Sequence, residues 1–223
     1  GFYRADDGAP YVATYPIDLD RLAPLLARPF SPDNVAPVGD HLGQPLDGVF
    51  IGACTTTEEE LVLGALVLEQ ALHQGGPIVD TRKRVVVPGD LSIHARLRDA
   101  GLWALYERAG FRIGEPGCSM CLGVASERAG AGEVWLSSQN RNFPNRMGAG
   151  SLAWLASGPT VAASALAMKI ADPRPLLTQV DQDRAARILG RVSGLIPEIA
   201  SYAVREPRVT VEDAAAAARA EAR

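Results

Sequence analysis

Three cysteines are the residues of this chain with the clearest potential for chemistry. Cys118 and Cys121 form a C-x-x-C pair flanked by glycines, and Cys54 directly follows a short apolar run. Two thiolates at this spacing can bind one metal centre, and the flanking glycines let the backbone approach it closely. Three thiolates would leave one iron of a four-iron cluster open, which suits a Lewis acid. A cluster-binding site is therefore one interpretation of this set.

The same cysteines also allow plainer interpretations. A lone cysteine beside a strand is often a small buried apolar residue. A C-x-x-C pair alone fits a dithiol redox pair or half of a zinc site. His41, His73 and His94 could complete a zinc site, although none of them has tight metal-ligand spacing. An odd number of cysteines fits a reducing compartment better than a secreted, disulfide-bonded protein.

A second candidate site is the polar segment 137–146, which reads SSQNRNFPNR. Arg141 and Arg146 bring two guanidinium groups and several side-chain amides into one turn-forming stretch. Arginine is suited to binding carboxylates through two parallel hydrogen bonds. A solvated polar loop explains the same composition equally well. The sequence contains no H-E-x-x-H metal motif and no complete dinucleotide-binding glycine motif.

Repeated strand–loop–helix units are predicted to position these residues. The apolar run 48–52 is typical of a buried parallel strand, and Thr57 marks the start of a helix that ends near Gly75. A second unit has a strand over 84–87, a helix over 93–109 capped by Ser92, and a strand over 111–113. A third has a strand over 133–136 and a helix from Pro159 to Lys169. These units predict an α/β fold, a three-layer sandwich with a mainly parallel sheet and helices on both faces.

The rest of the chain is interpreted as flanking structure. Residues 1–45 are predicted to lead in from a preceding domain, with strand-forming composition over 11–17, a short helical turn over 22–26 and an irregular proline-rich stretch after it. Residues 46–174 are the predicted α/β domain. Residues 175–223 are predicted to be a helical tail or linker, with a last helix over 211–222. Because the chain begins without methionine, it is interpreted as a fragment or a processed chain.

Composition argues against two classes of function. The formal charge is −4 and no long basic run occurs, so nothing indicates an electrostatic surface for nucleic acid. The most apolar stretch, 152–171, is interrupted by Gly158, Pro159 and Lys169, so it is not a membrane span.

Five segments, taken in order, resemble the third domain of the aconitase family. They are 50–55 (FIGACT), 86–89 (VVPG), 109–111 (AGF), 116–121 (PGCSMC) and 138–143 (SQNRNF). The resemblance is nearest to the large subunit of 3-isopropylmalate dehydratase and to homoaconitase. It covers about residues 45–172, with weaker similarity over 18–19 and 29–33.

The resemblance implies a cofactor, a set of site residues and a reaction. One [4Fe–4S] cluster would be held by Cys54, Cys118 and Cys121, with Asn140 beside it and with Arg141 and Arg146 binding substrate carboxylates. The implied activity is that of a hydro-lyase that dehydrates and rehydrates a hydroxy di- or tricarboxylic acid such as isopropylmalate, homocitrate or citrate. The product is an isomeric hydroxy acid, without net redox change.

The resemblance also implies partners and leaves alternatives open. The family's acid–base residues lie in preceding domains and in a mobile swivel domain or small subunit, so no catalytic residue is located in this chain. The chain alone is expected not to catalyse the reaction. The alternatives are an iron- or oxygen-sensing or RNA-binding module and a cluster-free homologue. The second alternative draws on Ala53 and Thr56, which replace the family's usual serine and asparagine around the first cysteine. The expected location is the cytoplasm, with the mitochondrial matrix as the alternative.

Overall fold

The computed structural model describes residues 8–13, 15–18, 21–123 and 128–191. A compact unit spans residues 17–193, and every helix and strand given below lies in it. Before this unit, the described residues 8–13 and 15–16 contain neither helix nor strand, so the strand-like composition over 11–17 does not become a strand there. The predicted helix over 211–222 lies outside the described residues.

One seven-stranded sheet forms the centre of the unit. Its strands are β1 (Leu25–Ala27), β2 (Val35–Pro37), β3 (Gly48–Ile51), β4 (Arg84–Val86), β5 (Arg112–Ile113), β6 (Val134–Ser137) and β7 (Leu152–Ala156). Their order across the sheet is β2-β1-β7-β6-β3-β4-β5. Strands β7, β6, β3, β4 and β5 are parallel, whereas β1 runs antiparallel to both β2 and β7. The predicted α/β class with a mainly parallel sheet is therefore confirmed.

Six α-helices lie on one side of this sheet. They are α1 (Glu58–His73), α2 (Leu91–Asp99), α3 (Trp103–Arg108), α4 (Gly158–Ala165), α5 (Arg174–Leu177) and α6 (Gln182–Ile188). Helix α1 begins where predicted, because the side chain of Thr57 accepts a hydrogen bond from the backbone N–H of Glu60. Alternate strand residues such as Val49 and Ile51 point into this helical side and are fully buried there. All six helices contribute apolar side chains to this core.

The opposite face of the sheet is covered by loops and one 3₁₀ turn, Ser119–Leu122. A second apolar cluster fills this side, made of Phe50, Val85, Val87, Trp135 and Ala153 from the sheet region and Ala53, Met120, Cys121, Ala129 and Met147 from the loops. Within the described residues, no α-helix contributes to it, although the prediction placed helices on both faces. The glycine- and asparagine-rich segment 138–151, which connects β6 to β7, takes the place of a crossover helix because such residues favour turns. We call this side of the sheet the loop face.

Three local predictions are wrong in an informative way. Residues 25–27 form β1 instead of a helical turn, since pairing with two neighbouring strands outweighs local leucine spacing. The predicted helix over 93–109 is divided into α2 and α3 at Gly101, whose φ is +72°. Its N-cap is Asp90, whose carboxylate accepts from the backbone N–H groups of Ser92 and Ile93 at 2.7 and 2.8 Å. Strand β7 was not predicted, and neither was β2, which lies in the proline-rich stretch predicted to be irregular.

The flanks of the sheet are more integrated than composition indicates. Strands β1 and β2 belong to the same sheet as β3, and helices α5 and α6 contact α1. The predicted division into residues 1–45, 46–174 and 175–223 stays a prediction. In the part of the chain that the structure describes, no helix is long and apolar enough to cross a membrane.

Candidate metal centre

The three cysteines and the polar segment 137–146 all follow parallel strands of the sheet. Cys54 comes after β3, the C-x-x-C pair comes after β5, and the polar segment follows β6. Strand β3 is the neighbour of β6, and β5 is two strands away, about 10 Å at the usual strand spacing. Since the carboxyl ends of parallel strands meet at one edge of a sheet, these loops leave the fold at one edge.

Cys54 lies on a tight connection between β3 and α1. The turn needs glycine at position 52, because φ is +149° and a Cβ would lie 2.6 Å from the carbonyl oxygen of Val87. Ala53 is 1% exposed and packs in the loop-face cluster, whereas the side chain of Cys54 is exposed. The connection therefore exposes the Cys54 thiol, while the neighbouring Ala53 is fixed in the apolar cluster.

Cys118 comes directly before the 3₁₀ turn Ser119–Leu122, and Cys121 lies inside it. The backbone N–H of Cys121 donates to the carbonyl of Cys118 at 2.9 Å. Cys118 is exposed, and Cys121 is 5% exposed among the apolar side chains of the loop face. The turn ends at Gly123, which is in the left-handed conformation with φ +65°. The pair thus holds one accessible thiol and one buried thiol.

The C-x-x-C loop packs directly on the backbone that carries Arg146. A Cβ at Gly123 would lie 2.7 Å from the carbonyl oxygen of Arg146 and 2.8 Å from the backbone nitrogen of Gly148. A Cβ at Gly148 would in turn lie 2.0 Å from the carbonyl oxygen of Ala129. Only glycine permits approaches this close. The two loops therefore form one packed layer on the loop face.

Arg141 and Arg146, for which the sequence predicts the same role, differ in exposure and in contacts. Arg146 is half-buried, and its Nη2 donates to Sγ of Cys121 at 3.3 Å. Arg141 is exposed, with its guanidinium carbon 5.8 Å from the ring centre of Phe143. Asn140, the third predicted site residue of this loop, is also exposed. One arginine is thus joined to a candidate metal ligand, while the other is available at the surface.

Ser138 joins the polar loop to the Cys54 connection, a contact that no sequence pattern predicts. Its hydroxyl accepts from the backbone N–H of Gly52 at 3.0 Å and lies 2.9 Å from the hydroxyl of Thr56. Its own N–H donates to the carbonyl of Phe50 at 3.0 Å. Thr56 is 2% exposed, so these bonds are shielded from water. Thr56, noted above as a departure from the family pattern, therefore has a structural partner here.

Two further amides of the polar loop are buried. The Nδ2 of Asn142 donates to the carbonyl of Arg28 at 2.8 Å, which fixes the loop against residues 28–34. Its Oδ1, both amide atoms of Gln139 and the Nε of Arg146 are buried without a hydrogen-bond partner among the described residues. Unpaired buried polar atoms are costly and rare in native proteins. The presence of several such atoms in one loop makes this loop a candidate for binding a ligand.

Glu133 fixes the segment around Gly130, which packs against the loop that contains Arg146. Its carboxylate accepts from Trp135 Nε1 at 2.8 Å and from the N–H of Gly130 at 3.0 Å, and it pairs with Lys83. Burial acts to raise the pKa of Glu133, but the hydrogen bonds from Lys83, Gly130 and Trp135 outweigh it and hold the pKa at about 2. The carboxylate is therefore charged throughout the neutral range.

The chemistry of the donors fits an iron–sulfur cluster better than zinc. The protein has three free cysteines, the ligands that such clusters use. His41 packs edge-to-face on Trp154 and His94 packs against Trp103, while His73 is exposed at the end of α1, so the structure gives no histidine to the cysteine loops. In the described ranges, no group of three or more His, Cys, Asp or Glu is placed to hold a metal ion.

These features define a class of protein, a parallel-sheet α/β domain with free cysteines in the loops at its carboxyl edge. A family model described as "Aconitase family (aconitate hydratase)" matches residues 39–168, more than half of the chain. The chain belongs to the aconitase family.

Several curated relatives carry names from this family. The chain is 52% identical over 190 residues to "Aconitase htyD" of Aspergillus rugulosus, covering 85% of this chain and 22% of that protein. It is 50% identical over 188 residues to "3-isopropylmalate dehydratase large subunit gloJ" of Glarea lozoyensis, covering 84% and 21%. It is 43% identical over 175 residues to "3-isopropylmalate dehydratase large subunit 1" of Methanopyrus kandleri, covering 77% and 40%. The chain therefore spans between about a fifth and two fifths of the length of these relatives.

Proposed function

We propose that this chain is the cluster-bearing part of a hydro-lyase that dehydrates and rehydrates a hydroxy di- or tricarboxylic acid. The substrate would be isopropylmalate-, homocitrate- or citrate-like, and two of the relatives are named aconitase and 3-isopropylmalate dehydratase large subunit. The observation that carries the proposal is the bond from Arg146 to Cys121, because it joins the predicted carboxylate-binding loop to a predicted metal ligand.

The residues fit a [4Fe–4S] cluster with three protein ligands, Cys54, Cys118 and Cys121. When bound, such a cluster supplies one iron without a protein ligand as a Lewis acid for the removal and return of water. Three is the number of thiols that the chain offers, and no disulfide ties any of them.

The polar loop would bind and orient the substrate. Arg141 is exposed, and among the described residues no carboxylate pairs with it, so its guanidinium is available to a substrate carboxylate in a two-bond arrangement. Asn140 is exposed beside it and can donate or accept a hydrogen bond. Ser138 holds this loop in register with the Cys54 connection. Substrate-binding and cofactor-binding groups would thus keep a fixed geometry, which is what positioning catalysis requires.

Acid–base chemistry is assigned to other parts of the enzyme. The names of two relatives describe large subunits, and we propose that this chain likewise works with further domains and with a swivel domain or small subunit. The purified chain, loaded with iron, is expected to bind a hydroxy acid without isomerising it. Isomerisation of isopropylmalate or citrate by the chain alone at an enzyme-like rate would contradict this division of roles.

Anaerobic reconstitution with iron and sulfide tests the proposal. The chain is expected to take up about four irons, with a visible absorption band, and to lose this capacity in Cys54→Ser, Cys118→Ser and Cys121→Ser. Leu122→Ser is the matched control, because it changes an exposed, non-ligating residue of the same 3₁₀ turn. Iron uptake that is absent, or that is indifferent to the three cysteines, would overturn the proposal and favour a cluster-free homologue.

A further inference from the structure

The contact between Arg146 and Cys121 assigns a role to Arg146 beyond carboxylate binding. The Nη2 atom lies 3.3 Å from Sγ, within the range of an N–H···S hydrogen bond. Its Nε is buried and has no other partner among the described residues. Across the described part of the chain, no carboxylate forms an ion pair with Arg146. The sulfur of Cys121 is therefore the side-chain partner that the structure gives to this guanidinium.

The backbone around Arg146 is fixed firmly enough to make the contact specific. Its N–H donates to the carbonyl of Phe143 at 3.1 Å, which closes a turn. The next residue, Met147, is fully buried in the same cluster as Cys121, and its carbonyl accepts from Ala129 at 2.8 Å. On the other side, Gly123 brings the C-x-x-C loop against the carbonyl of Arg146. The backbone of Arg146 is thus held by contacts on both sides, so its guanidinium reaches the sulfur from a fixed position.

We infer that Arg146 is a positioning residue for the Cys121 thiolate, which it holds and partly neutralises when that thiolate is a cluster ligand. The inference rests on the proposed function. Hydrogen bonds to ligand sulfurs are among the factors that set the reduction potential and the stability of such clusters. A cationic donor favours the more negative, reduced cluster, so removing it lowers the reduction potential. A guanidinium has five N–H donors, so a bond to sulfur leaves others for a carboxylate.

The two arginines of the loop provide a matched pair for the test. Arg146→Gln removes the charge and the planar fork, Arg146→Lys keeps the charge alone, and Arg141→Gln removes an exposed guanidinium that makes no sulfur contact. Each chain is reconstituted anaerobically and its iron content is measured. The reduction potential of the cluster and the rate of iron loss in air are then compared, so that neither readout depends on turnover.

The expected result is a normal initial iron content in all variants. Arg146→Gln should then show a lower reduction potential and several-fold faster iron loss, Arg146→Lys an intermediate behaviour, and Arg141→Gln the behaviour of the unmodified chain. If Arg146→Gln fails to fold, judged by circular dichroism, the comparison of Arg146→Lys with Arg141→Gln decides.

The outcomes separate this inference from the proposed function. Normal iron uptake with no difference between the Arg146 and Arg141 variants in potential or iron loss would overturn the inference alone. Failure of the unmodified chain to take up iron would overturn the proposed function and the inference with it.

Discussion

Replacing Ser138 by alanine is expected to destabilise the fold by more than the loss of one hydroxyl group alone suggests. The hydroxyl accepts from the N–H of Gly52 and shares a hydrogen bond with Thr56, at 3.0 and 2.9 Å. The variant would lose these bonds and leave a backbone N–H in a buried turn without a partner. A lost hydrogen bond contributes about 1 kcal/mol and an unsatisfied buried group about 1–3 kcal/mol, so we expect a loss of about 2 kcal/mol.

Thr56→Val supplies the partner variant, because valine matches the shape of threonine and removes only the hydroxyl. It leaves Ser138 bonded to Gly52, so we expect a smaller loss of about 1 kcal/mol. In the double variant, the hydrogen bond between the two hydroxyls is lost only once, whereas the two single variants each lose it. The double variant should therefore be about as stable as Ser138→Ala alone, which is a coupling of about 1 kcal/mol.

Urea unfolding of the cluster-free chain, followed by tryptophan fluorescence and circular dichroism, measures all four free energies. Independent sites add within about 0.5 kcal/mol, so the expected coupling is resolvable. Full additivity would refute the reasoning, since it would mean that the two hydroxyls do not share a hydrogen bond. A loss below about 0.5 kcal/mol for Ser138→Ala would refute the structural role of Ser138 itself.

Three further predictions concern the loop face. Gly123→Ala should lower the free energy of unfolding by at least about 2 kcal/mol in urea unfolding, because a left-handed backbone and a closely packed loop both oppose a Cβ. Gly39→Ala, where a Cβ meets nothing within 4 Å, should stay within about 0.5 kcal/mol, and equal effects would contradict the packing argument. The depressed pKa of Glu133 stabilises the fold above the pKa of the unfolded state, and this stability is lost as pH falls toward 2. In Glu133→Gln, the loss of unfolding free energy on acidification should be smaller by about 1–2 kcal/mol, a value that allows for the solvent around the lysine partner. An unchanged dependence of unfolding on pH would contradict this prediction. In the cluster-free chain, mass spectrometry should find both exposed thiols alkylated before Cys121, and simultaneous reaction would contradict its burial.

Sequence patterns predicted the parts of the fold that depend on local chemistry. The buried strand at β3, the Thr57 cap of α1 and the parallel arrangement follow from apolar runs, capping residues and unit order, and the structure confirms them. The cysteines could be placed after β3 and β5 on the same grounds. Each of these features is encoded within a few neighbouring residues.

Features that depend on contacts between distant segments could not be predicted in this way. Strand β1 forms because it pairs with β2 and with β7, a strand more than a hundred residues along the chain. Arg84 is 1% exposed inside the core, where its guanidinium donates to the carbonyls of Val79 and Ala165 at 2.7 Å, and burial lowers its pKa. No local pattern distinguishes this arginine from a surface one.

The same limit applies to the candidate site. The sequence pattern predicts one shared role for Arg141 and Arg146, and only the packing of two loops shows that Arg146 contacts Cys121. It gave no role to Ser138, whose partners lie more than eighty residues earlier. The assignment of the cluster ligands and of the substrate-binding residues stays a prediction.

The close crossing at Gly123 and Gly148 has a consequence for how this family can diverge. A side chain at either position would displace the backbone of a different segment, so neither loop can accept a new residue there independently. Change in one loop needs a compensating change in length or conformation in the other. Across an alignment of relatives, residues near 117–123, 128–132 and 145–150 are therefore expected to covary as one unit, while the exposed positions 140 and 141 are free of that constraint and are expected to vary independently of it.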